Sequence, residues 1–101
     1  MTKIELVEVL SIANEAPFEP KSACGCGRAY VMISDKKLAR NMAAACKELG
    51  LLYLKDAYGA GKRAIYMGYD NADGKALAKS EAFAKVLNAH GVACYTDAVS
   101  D

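Results

Sequence analysis

Two eleven-residue stretches of this chain echo each other, and their shared punctuation narrows the fold more than any other feature. Lys47-Glu48-Leu49-Gly50-Leu51-Leu52-Tyr53-Leu54-Lys55-Asp56-Ala57 aligns with Asn88-Ala89-His90-Gly91-Val92-Ala93-Cys94-Tyr95-Thr96-Asp97-Ala98. In each, a glycine closes a helical pattern, where the left-handed backbone after a helix favours it. A short β-prone run follows at once, then aspartate and alanine. The same helix–glycine–strand unit therefore occurs twice.

The rest of the chain supplies what these units need. Thr2 with Glu5 three residues on has the form of a capping box. Ile4, Val7, Leu10 and Ala13 then recur at helical spacing, with Glu5, Glu8, Ser11 and Glu15 on a polar side. A helix is predicted over 3–15, stopped before Pro17, and residues 16–27 form a connector because Pro17 and Pro20 cannot continue a helix. A strand follows over 28–34. Asp35 is placed to cap a helix whose apolar stripe is Leu38, Met42, Ala45, Cys46 and Leu49. Strands at 51–55 and 63–69 are joined by a turn containing Gly59 and Gly61, which makes them an antiparallel hairpin. Asp73 is the expected cap of the last helix, which turns Leu77, Phe83, Ala84, Val86 and Leu87 inward, and a final strand runs over 92–96.

Strand, helix, strand, strand, helix, strand is a pair of interlocked βαβ units, the pattern of the ferredoxin-like plait. The expectation is one α+β domain over residues 1–101, with the βαββαβ plait at 28–98 and an additional N-terminal helix. Its antiparallel sheet has order 4-1-3-2 and both plait helices lie on one face. Val31, Ile33, Leu38, Met42, Ile65, Met67, Phe83 and Leu87 form the expected core.

Charge is unevenly distributed. Residues 1–20 carry −3, residues 21–63 carry +6 and residues 64–101 carry −2, so the chain totals +1. A basic middle attracts anionic partners, but the balanced total is not the footprint of a nucleic-acid binder. Glu5 and Glu8 interrupt any signal-peptide apolar region, and no run approaches the roughly 18 apolar residues of a membrane span, so a cytoplasmic protein is expected.

Most chemistries find no foothold. Cys24-Gly25-Cys26-Gly27 lacks the C-x-x-C spacing of a zinc knuckle. In the plait, His90 and Cys24 lie at opposite ends of a strand, about 23 Å apart at roughly 3.3 Å per residue, too far to share a metal. Cys46 and Cys94 read as small core residues. A Cys24–Cys26 disulfide would be strained, and Gly25 and Gly27 read instead as a bend or bulge entering the first strand; a redox role for Cys24 stays open. Gly59-Ala60-Gly61-Lys62-Arg63 lacks phosphate-loop spacing and joins two strands. Asn71-Ala72-Asp73-Gly74 has Tyr69 and Ser80 where a calcium loop needs acids. No serine or cysteine has a base partner, and His90 stands at a helix end supporting carbonyls. The expectations are no enzyme, no metal and no cofactor.

The aromatic residues are more informative. Strand alternation turns Tyr30 and Tyr66 away from the helices if Val31, Ile33, Ile65 and Met67 face them. Tyr30 and Tyr66 then stand side by side on the central strands; the facing of the outer strands stays open because the repeat pairs Leu54 with Tyr95, and on either choice the face carries tyrosine or leucine. Ala29-Tyr30-Val31-Met32-Ile33-Ser34 and Lys62-Arg63-Ala64-Ile65-Tyr66-Met67-Gly68-Tyr69 resemble the first- and third-strand signatures of RNA-recognition motifs. That resemblance implies single-strand binding on the sheet, with Tyr30 at a base-stacking position. It departs at Ala64, where a second stacking aromatic is expected, and at Ile65, where a small residue is usual. By size and type the chain is also similar to small phage-encoded accessory proteins such as anti-CRISPR inhibitors, which block larger complexes by surface contact.

Tyr30, Tyr66 and Tyr95, with Lys55, Lys62 and Arg63 at the rim, are therefore the candidate binding residues. A protein partner is favoured over single-stranded nucleic acid, a homodimer through the sheet face is allowed, and no membrane partner is expected. One arrangement would close the face altogether: Ile4, Val7 and Leu10 of the N-terminal helix lying over Tyr30 and Tyr66.

Overall fold

A computed structural model of the chain describes residues 1–20, 26–57, 59, 61–71 and 74–100. Its elements run α1 (Lys3–Asn14), β1 (Cys26–Ile33), a single 3₁₀ turn (Lys36–Leu38), α2 (Ala39–Leu49), β2 (Leu52–Ala57), β3 (Lys62–Asn71), α3 (Lys75–Ala89) and β4 (Cys94–Ser100). The four strands form one antiparallel sheet in the order β2-β3-β1-β4. Val31 pairs with Ile65 on one side and Thr96 on the other, so β1 and β3 occupy the middle.

The two echoing stretches close their helices identically. Gly50 and Gly91 adopt left-handed φ of 74° and 85°. Leu51 N–H then donates to Cys46 carbonyl at 2.8 Å, and Val92 N–H to Leu87 carbonyl at 2.9 Å. This is the Schellman arrangement, and in both copies the residue after glycine enters the apolar interior that its helix lines. A side chain at either glycine would meet a strained backbone, not a crowded one.

α1 begins on the expected capping box: Glu5 N–H donates to Thr2 Oγ1 at 3.2 Å and Thr2 N–H to Glu5 Oε1 at 3.1 Å. Its buried stripe differs from the one read in the sequence. Leu6, Val9, Leu10 and Ala13 are buried, while Ile4 is 73% and Ile12 53% exposed. A strict three-residue spacing drifts about 60° per step around a 3.6-residue turn, so Ile4 and Ala13 cannot share a face. The spacing of 6, 9, 10 and 13 holds one face.

That face packs on α2 and α3, and its residues join the core of Val31, Ile33, Leu38, Met42, Ile65, Phe83 and Leu87. Lys3 and Glu48 add an exposed ion pair at 3.0 Å, worth at most about 1 kcal/mol. α1 thus lies on the helical side, and the arrangement in which it covers Tyr30 and Tyr66 is not adopted.

Three local expectations are also corrected. β1 begins at Cys26, so Cys26 and Gly27 belong to the sheet; Gly27 pairs regularly with Asp70 and Ser100. The irregularity in β1 falls between Ala29 and Tyr30, whose partners on β3 are Gly68 and Tyr66. Asp35 caps the 3₁₀ turn through Lys37 N–H at 2.9 Å, one turn ahead of α2.

The last helix draws its cap from another element. Gly74 stands at its start, and the buried Asp70 carboxylate, at the end of β3, accepts from Ala76 N–H at 2.6 Å and Leu77 N–H at 3.1 Å. Such caps contribute about 1 kcal/mol and place negative charge at the positive end of the helix. Asp73 and Cys24, to which the sequence assigned a cap and a possible redox role, lie outside the described residues. α3 buries Ala76, Ser80, Phe83, Ala84 and Leu87, leaving Leu77 half-buried; Ser80 Oγ satisfies itself on Ala76 carbonyl at 2.7 Å. Among the described residues no helix is long and apolar enough to cross a membrane.

Candidate functional site

The side of the sheet away from the helices carries a second apolar cluster. Tyr30, Met32, Ala57 and Ala64 are buried there, with Leu54, Tyr66 and Val99 partly buried around them. Pairing sets the rows: Leu52, Tyr66, Tyr30 and Asp97 lie across the four strands, followed by Leu54, Ala64, Met32 and Tyr95. Arg28 pairs with Tyr69 and Val99 in the row on the other side of Tyr30.

Tyr30 and Tyr66 stand side by side as expected, ring centroids 5.5 Å apart and tilted by 58°. Only one of them offers surface. Tyr30 is buried at 6% exposure and Tyr66 is half-buried, whereas Leu52, Tyr69 and Tyr95 are exposed. Tyr30 is thus an anchor of this cluster, and the accessible patch is formed by Leu52, Tyr66, Tyr69 and Tyr95. Tyr69 and Leu52 were missed as site residues. Their signal is register: Leu52 is opposite Tyr66, and Tyr69 regains the open face across the irregularity in the β1–β3 pairing.

The cations do not form one rim. Lys62 and Arg63 are neighbours on a strand, so they must leave on opposite sides. Lys62 follows Ala64 and Tyr66 on the open face. Arg63 and Lys55 instead line a cleft on the helical side with Ala39, Arg40, Ala43 and Tyr53. A second hollow wraps around the sheet end, where Lys36, Lys62 and Arg63 meet Ser34 and Tyr95. Arg63 is common to both. Asp56 is held in the hairpin, its carboxylate accepting from Gly61 N–H.

Tyr53, Cys46 and Cys94 occupy the interior side. Burial raises the Tyr53 phenol above its ordinary range, opposed by the Arg63 charge. Burial pushes the Cys46 thiol up to about 12 and the Cys94 thiol to about 11. Cys94 Sγ reaches Ala84 carbonyl at 3.5 Å. Both thiols therefore stay protonated in the fold near neutrality, the opposite of an activated nucleophile. A raised thiol pKa stabilises the fold fully below the unfolded thiol value of about 8.5 and loses that contribution as pH climbs toward the folded values. Denaturant melts from pH 8 to 11 are expected to show falling stability, with a shallower fall in Cys46→Ala. Site-resolved alkylation should find Cys46 and Cys94 slow in the native protein and fast once it unfolds.

His90 caps its helix, Nδ1 lying 2.9 Å from Val86 carbonyl. Ile33 pairs with Cys94, so the His90 end of β4 lies at the opposite end of β1 from Cys26. Among the described residues no three His, Cys, Asp or Glu side chains converge. The chain matches no protein-family model, no curated protein and no solved structure.

Proposed function

We propose that this chain is a non-enzymatic binding module that acts by protein contact through the open sheet face. The observation that carries the reading is the position of α1: its apolar stripe is spent on α2 and α3, so no described helix lies over Leu52, Tyr66, Tyr69 and Tyr95. Partly exposed tyrosines beside leucine, on a rigid sheet, have the composition of interface anchors. Lys36, Lys62 and Arg63 border one end of the patch, which suits a partner with an apolar centre and an acidic margin.

In the same reading the chain is a ferredoxin-like plait with α1 added on its helical side, supported by strand order and the paired glycine caps. Its role is that of a cytoplasmic inhibitor or adaptor of the phage accessory type, by analogy of size and fold class.

A second reading, single-stranded nucleic acid on the same face, draws on the cations beside Tyr95. The burial of Tyr30 weighs against it, because base stacking needs an accessible ring face. The test immobilises the wild-type protein and a Leu52→Glu/Tyr95→Ala variant, beside a titration with mixed single-stranded oligonucleotides. A protein retained by the wild type and lost by the variant supports the reading. Salt-sensitive oligonucleotide binding with no protein partner, or self-association in sedimentation that the variant abolishes, would replace it with nucleic acid or with a homodimer.

A further inference from the structure

We propose that the cleft between α2 and the β2–β3 edge is a binding site for a small phosphorylated molecule of about mononucleotide size. This site is on the helical side and goes beyond the sheet-face reading, with which it shares Arg63 alone.

Three cationic side chains, Arg40, Lys55 and Arg63, line a cavity of about 330 Å³ whose remaining walls are Ala39, Ala43 and Tyr53. Among the described residues no acid lines it, and none of the three cations makes an ion pair. Elsewhere on this surface Lys3 is neutralised by Glu48. Three like charges lining one cleft without a counter-charge repel one another, and an anion between them relieves that repulsion. Two of the three are arginines, whose forked donors match phosphate oxygens.

A second observation points the same way. Tyr53 Oη is buried and has no hydrogen-bond partner among the described residues, although a buried hydroxyl is ordinarily satisfied. Tyr53 lines the cleft and the Arg63 charge acts on its phenol, so an oxygen-rich ligand drawn in beside Arg63 would supply the acceptor on displacing what covers the hydroxyl. Ala39 and Arg40 open α2, so the positive end of that helix adds its field to the cleft. The cavity lies at the lower end of the range for small-molecule sites, roughly 300–1,000 Å³. The tyrosine ring and the two alanines give an organic body apolar walls beside the charged end.

The probes are adenosine 5′-monophosphate, inorganic phosphate, adenosine and sodium chloride of equal ionic strength, titrated into the full chain with thermal melting and calorimetry as readouts. The proposal expects the monophosphate to bind and to raise the melting temperature, phosphate to do so more weakly, and adenosine and chloride to do neither. An Arg40→Gln/Arg63→Gln variant should lose affinity by about a hundredfold, since hydrogen bonds to charged groups are each worth roughly tenfold or more. Tyr53→Phe is the sharper control. Without ligand it should melt no lower than the wild type, because the lost hydroxyl had no partner, yet it should bind about tenfold more weakly. Equal response to adenosine and to its monophosphate, or an undiminished response in the double variant, would overturn the proposal. So would wild-type protein indifferent to both phosphate probes.

Discussion

Replacing Leu6 with alanine is expected to destabilise the protein by about 2–5 kcal/mol, while replacing Ile4 should change stability by no more than about 0.5 kcal/mol. Leu6 is wholly buried where α1 meets α2 and α3; Ile4, two residues away, is mostly in solvent. At roughly 4–8 °C of melting temperature per kcal/mol for a domain near this size, the two variants should separate by at least about 6 °C. The comparison tests which face of α1 is inside, and with it whether α1 belongs to the helical layer. If Ile4→Ala were the damaging change, α1 would be turned as the sequence reading had it, and the tyrosine face could lie beneath it.

The orientation of α1 is set by packing and not by its own sequence. The apolar residues of α1 occur on several sides of the helix: Leu6, Val9, Leu10 and Ala13 on one, Ile4 and Ile12 elsewhere. Periodicity alone offers more than one stripe, and tertiary packing selects among them. The glycine-punctuated units were legible for the opposite reason. A left-handed residue after a helix is a local requirement, met by Gly50 and Gly91 whatever packs around them. Asp70 shows the limit of local reading from another side. It caps α3 from the end of a strand, six residues before the first amide it accepts, and no spacing rule would assign it.

The site was legible in part. Alternation places Tyr30 and Tyr66 on one face, because that inference needs only the inward partners Val31 and Ile65, whereas the side of Tyr95 follows from its pairing with Met32, which the fold supplies. The same rule, applied to the adjacent Lys62 and Arg63, would have separated them. Arg40 was invisible, since its neighbours in the cleft come from β2 and β3 and are brought to α2 only by the fold. Burial depth was not readable either. Tyr30 and Tyr95 are both face residues, yet one is enclosed by Met32, Tyr66 and Val99 on a central strand while the other stands on the sheet edge.

This difference in depth gives the remaining large effect. Tyr30→Ala is expected to cost about 3–5 kcal/mol, as for a large aromatic removed from a packed interior, because its ring is buried against Tyr66. Tyr95→Ala removes a ring that is 46% exposed on the outer strand and should cost less than about 1 kcal/mol. Binding should reverse the order. Once a partner is in hand, Tyr95→Ala should weaken its association by about 1–3 kcal/mol with the fold intact, the behaviour of an interface anchor. Any binding lost with Tyr30→Ala should instead track the unfolded fraction and return at lower temperature. Tyr66→Ala, half-buried beside Tyr30, should fall between the two in melting temperature. Equal melting temperatures for the Tyr30 and Tyr95 variants would mean that the face is either wholly open or wholly covered. The division between a buried anchor and an exposed contact surface would then fail.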